Sequence, residues 1–316
     1  MQAVVYDHFG DDSVLSVREV PAPQPARGQV QVRVRMASLN PVDFKLRGGM
    51  LRMVGRPRRP AITGKDFAGV ITALGAGVQG YRVGQRVFGS VDPMGGQGSC
   101  AELVALSTDL IAPTPDAVSD EVASSLPVAS GTALQALADI AGLRSGQSIL
   151  ITGASGGVGS SAVQLARSIG ARITGVCGAA NVDYVRSMGA DPVVDYEVQD
   201  WRERDERFDV IFDAAASADF SSARPRLNPG GIYINTMPGP KLILQTFVSR
   251  LASRQRCIPF MLKTTAGQLE RLARLAADQV IVPRIREIID LDQVGPAQRR
   301  MQEGKVHGKV CVRLVA

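Results

Sequence analysis

Residues 148–159 read Ser-Ile-Leu-Ile-Thr-Gly-Ala-Ser-Gly-Gly-Val-Gly, a short apolar strand that runs without a linker into a glycine turn and then into a helix reaching Ile169. Few local patterns constrain a fold so strongly. Gly156 lets the backbone approach a pyrophosphate, and Gly159 lets the helix pack tightly on the strand. The helix that opens at Gly157 points free N–H groups and the positive end of its dipole at whatever lies beyond the strand, which favours an anion. Ala154, Ser155, Gly156, Gly157, Val158 and Gly159 are therefore predicted to form a dinucleotide grip at the edge of a parallel sheet.

The same letters satisfy the T-G-x-x-x-G-x-G of short-chain dehydrogenases, which place it near the N-terminus and carry a catalytic Tyr-x-x-x-Lys pair. Here the motif begins at Thr152, and none of Tyr6, Tyr81, Tyr184, Tyr196 or Tyr233 has a lysine four positions on. That reading fails on both position and chemistry.

With 316 residues, 45% of them hydrophobic, the chain can bury two ordinary cores. Met1–Asp7 lacks a basic segment followed by an apolar run, and no apolar stretch is long enough to span a bilayer, so a cytoplasmic protein without a membrane partner is expected. Cys100, Cys177, Cys257 and Cys311 lie far apart, which encodes neither a disulfide framework nor a thiolate zinc knuckle. The formal charge of +6 comes mostly from dispersed arginines without interleaved aromatics, a solvated basic surface rather than a nucleic-acid footprint. One cluster, Arg47, Arg52, Arg56, Arg58 and Arg59, sits in a Gly- and Pro-rich loop. It reads either as solvated surface or as a mobile loop that raises the local concentration of an anionic substrate.

Up to about Pro113, short β-type runs such as Val30–Arg35 and Gly84–Gly89 are broken by Gly, Pro and Asp, the style of a twisted antiparallel domain. Helical stretches follow around Asp120–Leu126 and Gly131–Ala141. After Ser148 strands at 149–152, 172–176, 193–195, 208–212 and 231–235 alternate with helices, as in a doubly wound parallel sheet. Lys241–Arg254 has the apolar spacing of an amphipathic helix suited to core or subunit packing, which leaves room for a homodimer. Pro259 argues for an edge strand near Arg256–Leu262. A helix over 266–277, a strand ending near Leu291, a helix over 292–302 and a last strand at 309–314 return to the first domain. The predicted division is 1–117 with 263–316, and 118–262.

Several segments, taken in this order, resemble the medium-chain dehydrogenase/reductase superfamily in its zinc-free, quinone oxidoreductase-like branch. Asn40-Pro41-Val42-Asp43 is similar to that branch's N-P-x-D, and Gly64-Lys65-Asp66-Phe67-Ala68-Gly69-Val70 to its G-x-D-x-x-G-x-V. Gly131-Thr132-Ala133-Leu134-Gln135-Ala136 resembles its G-x-T-A helix, the A-x-G-G-V-G turn its nucleotide fingerprint, and Gly308-Lys309-Val310 its closing G-K-x-V strand. The resemblance covers essentially the whole chain. It implies an α/β protein with a GroES-like, β-rich catalytic domain and a doubly wound Rossmann domain. It also implies Asn40 and Thr132 beside the nicotinamide, Lys309 near the cofactor end of the cleft, and Tyr196 on the adenosine side.

Zinc members of the superfamily carry G-H-E-x-x-G where Lys65 and Asp66 stand here, and histidine occurs only at His8 and His307, so no metal ligands are assigned. Lys65 and Asp66 are expected to form an opposite-charge pair at the cleft floor and, with Asn40, to be the catalytic residues. Without a Lewis acid, donors worth about 3 kcal/mol each serve a delocalised enolate or a quinone better than a localised alkoxide. Reduction of a small electrophilic substrate, an enone C=C or a quinone, is therefore favoured. Some enoyl-reducing relatives use a tyrosine after N-P-x-D, where this chain has Met50 and Leu51, so the proton is expected from water or Lys65. Val176-Cys177-Gly178-Ala179-Ala180-Asn181 ends the second Rossmann strand without an acid, which favours NADPH, with NADH as the alternative because the phosphate clamp is incomplete. Cys177 and Gly178 are expected to border the cofactor. Two other readings compete: an enoyl reductase for carrier- or CoA-linked acyl chains, and a non-catalytic NADPH-binding partner protein.

Overall fold

Alternation along Gln29–Leu39 sets the architecture of the first half. Val30, Val32 and Val34 are fully buried while Arg33 and Arg35 face out, and from Met36 to Leu39 both faces are covered. The computed structural model describes residues 1–50, 59–92, 97–237, 245–246, 249 and 254–314. Arg52, Arg56 and Arg58, and most of the amphipathic stretch 241–254, lie outside the described residues.

In chain order the strands are β1 (Gln2–Tyr6), β2 (Ser16–Glu19), β3 (Gln29–Leu39), β4 (Ala61–Ile62), β5 (Asp66–Leu74), β6 (Arg86–Ser90), β7 (Leu103–Ser107) and β8 (Ile111–Pro113). Then come β9 (Ser148–Thr152), β10 (Arg172–Cys177), β11 (Val193–Asp195), β12 (Phe208–Asp213), β13 (Leu227–Asn235) and β14 (Arg256–Pro259). Last are β15 (Ile285–Ile289) and β16 (Lys309–Arg313). Two compact units result: residues 1–131 with 264–279 and 283–316, and residues 132–263 with 280–282.

Among the described residues of the first unit, a seven-stranded sheet runs β15-β16-β3-β5-β6-β8, with β7 also on β3. The long β3 pairs with β7 along Gln29–Arg33 and with β16 along Met36–Leu39. Its core holds Val32, Val34, Leu39, Phe67, Ile71, Val87, Val104, Ile111 and Val310. β1, β2 and β4 make a separate small sheet.

The second unit holds a parallel sheet in the order β11-β10-β9-β12-β13-β14 among the described residues. Counted from β9, that is the Rossmann order 3-2-1-4-5-6, whose ligand crevice opens where the order reverses, between β9 and β12. Pro259 closes β14 at the sheet edge, where a missing N–H costs no ladder bond. Trp201, Phe208, Ile211, Phe220 and Tyr233 pack one face of this sheet.

The units divide differently from the predicted boundaries in three places: at Lys263, whose N–H donates to Gln135 Oε1 at 3.1 Å within the second unit, and at two longer segments. Residues 118–131 go with the first unit, because the helix Asp120–Ser125 packs on β3 and β5 and Arg86 ties Asp120 and the Val118 carbonyl at 2.7 Å each. Residues 280–282 go with the second, because the Gln164 side-chain amide pairs with both backbone groups of Val282.

Candidate functional site

The glycine turn takes its shape from close backbone contacts. Gly153 leaves β9 at φ +60°, a region that an L side chain resists. Ala154 is tied back to the Val176 carbonyl at 3.0 Å, and Gly156 caps the helix Gly157–Ile169. At Gly159 an ideal Cβ would stand 2.1 Å from the Gly153 carbonyl oxygen, so only glycine allows this helix to approach the strand. Ser155 is 7% exposed and Ala154 is buried, leaving Gly156, Gly157 and Val158 to present the helix N-terminus. An ideal Cβ at Gly156 would stand 3.3 Å from the Gly153 carbonyl oxygen, a tight contact. These residues fit a pyrophosphate by backbone shape and by the sign of the helix dipole.

Two features flank the turn, and of their residues the sequence did not signal Asp213 or Glu197. Asp213, fully buried at the end of β12, accepts from Thr152 Oγ1, from the Ser217 and Ala218 N–H groups, from Ser217 Oγ, and from Tyr233 Oη and Asn235 Nδ2. This carboxylate fixes the 214–218 loop, in which Ala216 is held at φ +53° and Ala215 comes within 3.1 Å of the Cβ position of Gly153. The second is the turn after β11. Tyr196 N–H donates to the Cys177 carbonyl at 3.1 Å, bringing Tyr196 and Glu197 over Gly178. Cys177 is buried and its thiol is pushed up to about 11 by burial and then by Asp195. Thr132 is 6% exposed on the short helix Gly131–Leu134.

In the first unit the structure gathers Asn40, Asp43, Asp66 and Lys309 into one buried array. Asn40 ends β3 and starts the helix Pro41–Arg47, where Pro41 loses no needed N–H. The Asn40 backbone N–H donates to Asp43 Oδ2 at 2.7 Å, so local capping and the site share one residue. Its side chain is oriented from both ends: Lys309 Nζ donates to Asn40 Oδ1 at 2.6 Å, and Asn40 Nδ2 donates to Asp66 Oδ2 at 2.9 Å. Lys309 also donates to the Leu39 carbonyl at 3.0 Å. The Val128 N–H donates to Asp66 Oδ2 at 3.0 Å from a wide π-type turn, Leu126–Ser130. Register places Ser38, Asp66 and Ser90 side by side across β3, β5 and β6. Ser38 Oγ, Asp43 Oδ1, Asp66 Oδ1 and Ser90 Oγ are buried without a hydrogen-bond partner among the described residues.

Three expectations change here. The Asp66 carboxylate is engaged by Asn40 and Val128 rather than by Lys65, and its stronger cationic neighbour is Lys309. Arg47 is no loop residue: it is 1% exposed at the end of its helix, donating to Gln298 Oε1 at 3.0 Å and the Gly10 carbonyl at 2.9 Å. Arg59 stacks over the Tyr6 and Phe9 rings, 4.7 and 4.4 Å from their centroids, rather than standing free in solvent.

The array buries two carboxylates with one ammonium. Burial raises the Asp66 pKa and lowers that of Lys309, against the attraction between them. Asp43 is pushed up to about 7, first by burial, with its Asn40 hydrogen bond opposing and the Asp66 charge adding to the rise. An unfolded aspartate titrates near 3.8, so the raised native value stabilises the fold below about pH 4 and that contribution is lost as pH rises through about 7. Asp43→Asn is expected to flatten the fall in urea-unfolding free energy between those limits relative to the parent. Parallel pH curves for the two proteins would contradict the burial argument.

Among the described residues no three His, Cys, Asp or Glu side chains converge as a metal shell requires, and no helix is long and apolar enough to cross a membrane. The alcohol dehydrogenase GroES-like domain model matches residues 26–116, and a zinc-binding dehydrogenase model matches residues 188–312. The glycine turn lies outside both matches. Along 99% of its length the chain is similar to a chloroplast envelope quinone oxidoreductase homolog of Arabidopsis thaliana, at 33% identity and covering 98% of that protein. It is 32% identical to a chloroplastic NADPH-dependent alkenal/one oxidoreductase of the same plant, over 69% of this chain and 58% of the other. The quinone oxidoreductase structure from Coxiella burnetii superposes with a TM-score of 0.91 at 27% identity, covering 100% of this chain and 99% of that one.

Proposed function

Because the chain belongs to the medium-chain dehydrogenase/reductase superfamily, in its quinone oxidoreductase-like branch, we propose that it is a zinc-independent reductase. It uses NADPH, with NADH as the alternative donor, to reduce a quinone or the conjugated C=C of an enone. The observation that carries this reading is the backbone cradle at Gly153, Gly156 and Gly159, set at the switch point of a Rossmann-ordered sheet.

A bound nicotinamide supplies the hydride. Residues 154–159 hold the pyrophosphate in this reading, while Cys177, Gly178 and Tyr196 border the adenosine. By the family resemblance, Asn40 and Thr132 would be the residues that border a bound nicotinamide. The Asn40 amide is fixed by Lys309 on its oxygen and by Asp66 on its nitrogen, so it is ordered before any substrate arrives. Water or Lys65 returns the proton. An ammonium at Lys65 is a poor occupant of a cation site, which supports chemistry that spreads negative charge through a conjugated system.

The test is steady-state oxidation of NADPH by the purified protein with a panel of quinones and enones, alongside unactivated secondary alcohols with NADP⁺. Turnover is expected with the conjugated acceptors, little or none with the alcohols, and no change on adding a metal chelator. Efficient oxidation of an unactivated alcohol, or activity lost to the chelator, would overturn the reading.

A further inference from the structure

The turn after β11 brings a negative charge to a place where the strand itself has none. Gly178 follows β10, and an ideal Cβ built on it would stand 2.8 Å from Glu197 Oε1 and 3.0 Å from Tyr196 Oη. Both side chains therefore converge on the space above a residue that has no side chain of its own. In a Rossmann sheet the end of the second strand is where the adenosine ribose arrives. Tyr196 is 61% exposed, although its hydroxyl is directed at this spot, so its ring presents an open apolar face. Glu197 is held from behind, its N–H donating to Asp195 Oδ1 at 3.0 Å.

We infer that Glu197 sets the choice between the two reduced nucleotides, accepting a hydrogen bond from a ribose 2′-hydroxyl and opposing a 2′-phosphate. The inference rests on the nicotinamide-reductase reading and narrows it. Residues 176–185 contain no Lys or Arg to offset the carboxylate, and Arg186 is engaged with Asp183 at 3.2 Å. A 2′-phosphate carries close to two negative charges and would meet another a few ångströms away. A ribose diol meets an acceptor instead. The acid that the strand end lacks is thus supplied from the following loop, and NADH is expected to bind nearly as well as NADPH.

The experiment is fluorescence titration of the full chain with NADPH and with NADH, at low and at moderate salt, for the parent, Glu197→Gln and Glu197→Lys. Glu197 is exposed, so neither substitution burdens the core. Removing the charge should shift the affinity ratio toward NADPH by about tenfold, the scale of one close charge pair near a surface. The lysine variant should shift it further, and added salt should shrink both shifts. Ratios unchanged in both variants, with both nucleotides still bound, would overturn the role of Glu197. Failure of the parent to bind either nucleotide would instead overturn the reductase reading beneath it.

Discussion

Replacing Gly159 with alanine is expected to abolish useful binding of both NADPH and NADH. The new Cβ would lie 2.1 Å from the Gly153 carbonyl oxygen and 2.7 Å from its carbon, both backbone atoms that cannot rotate away. The strain is relieved only if the helix Gly157–Ile169 lifts off β9, and that movement carries the N–H groups of its first turn away from the pyrophosphate position. Overpacking of this kind costs about 1–3 kcal/mol. At a tenfold change per 1.4 kcal/mol, affinity should fall by up to roughly a hundredfold even before the lost N–H contacts are counted. Gly267→Ala is the control, since a Cβ there meets nothing within 4 Å and its helix, Ala266–Ala277, lies in the other unit. Titration with either nucleotide decides the matter: unchanged affinity in Gly159→Ala would remove the premise that this turn grips a cofactor.

The second large effect is on stability. Lys309→Met removes the ammonium whose charge favours ionised Asp66 and Asp43 and leaves the buried Asn40 Oδ1 without its donor, and stranding a buried polar group typically costs about 1–3 kcal/mol. The loss should be greater at pH 8 than at pH 5, because native Asp43, pushed up to about 7, holds its proton at pH 5 and needs no ammonium there, whereas at pH 8 it is charged in the parent and loses the attraction of Lys309. Adding Asp66→Asn to Lys309→Met should recover at least half of the loss by removing the uncompensated charge. Urea unfolding of the parent, the single variant and the double variant tests this. A single variant as stable as the parent would show that the array is not held by charge.

Both expectations depend on residues named from the sequence, yet the sequence spoke to them unequally. The strand, glycine turn and helix were legible because they are contiguous within residues 148–169, which carry both the glycines and the apolar run that positions them. The parallel sheet was legible for the same reason, since alternating strand and helix patterns are local. Asn40 was named as a site residue, and in the fold its backbone N–H meets the helix through Asp43 while its side chain joins the buried array.

Local patterns carry no information about which strands become neighbours, and there the tertiary structure alone decided. Lys65 next to Asp66 in the chain suggested a pair, but β16 beside β3 brings Lys309 to Asn40 and hence to Asp66 from the far end of the sequence. Arg47 sat in a run of arginines that reads as solvated surface, and the packing of its helix against Val294–Gln302 buries it on Gln298. The six hydrogen bonds accepted by Asp213 come from β9, β13 and its own loop, so no spacing rule could find them. The strand end at Cys177–Asn181 does lack an acid, as its letters say, but the turn after β11 places Glu197 over Gly178. The physical reason is common to all four. Hydrophobic periodicity and backbone chemistry act over a few residues and fix each element, whereas charge placement depends on which elements the buried cores force together.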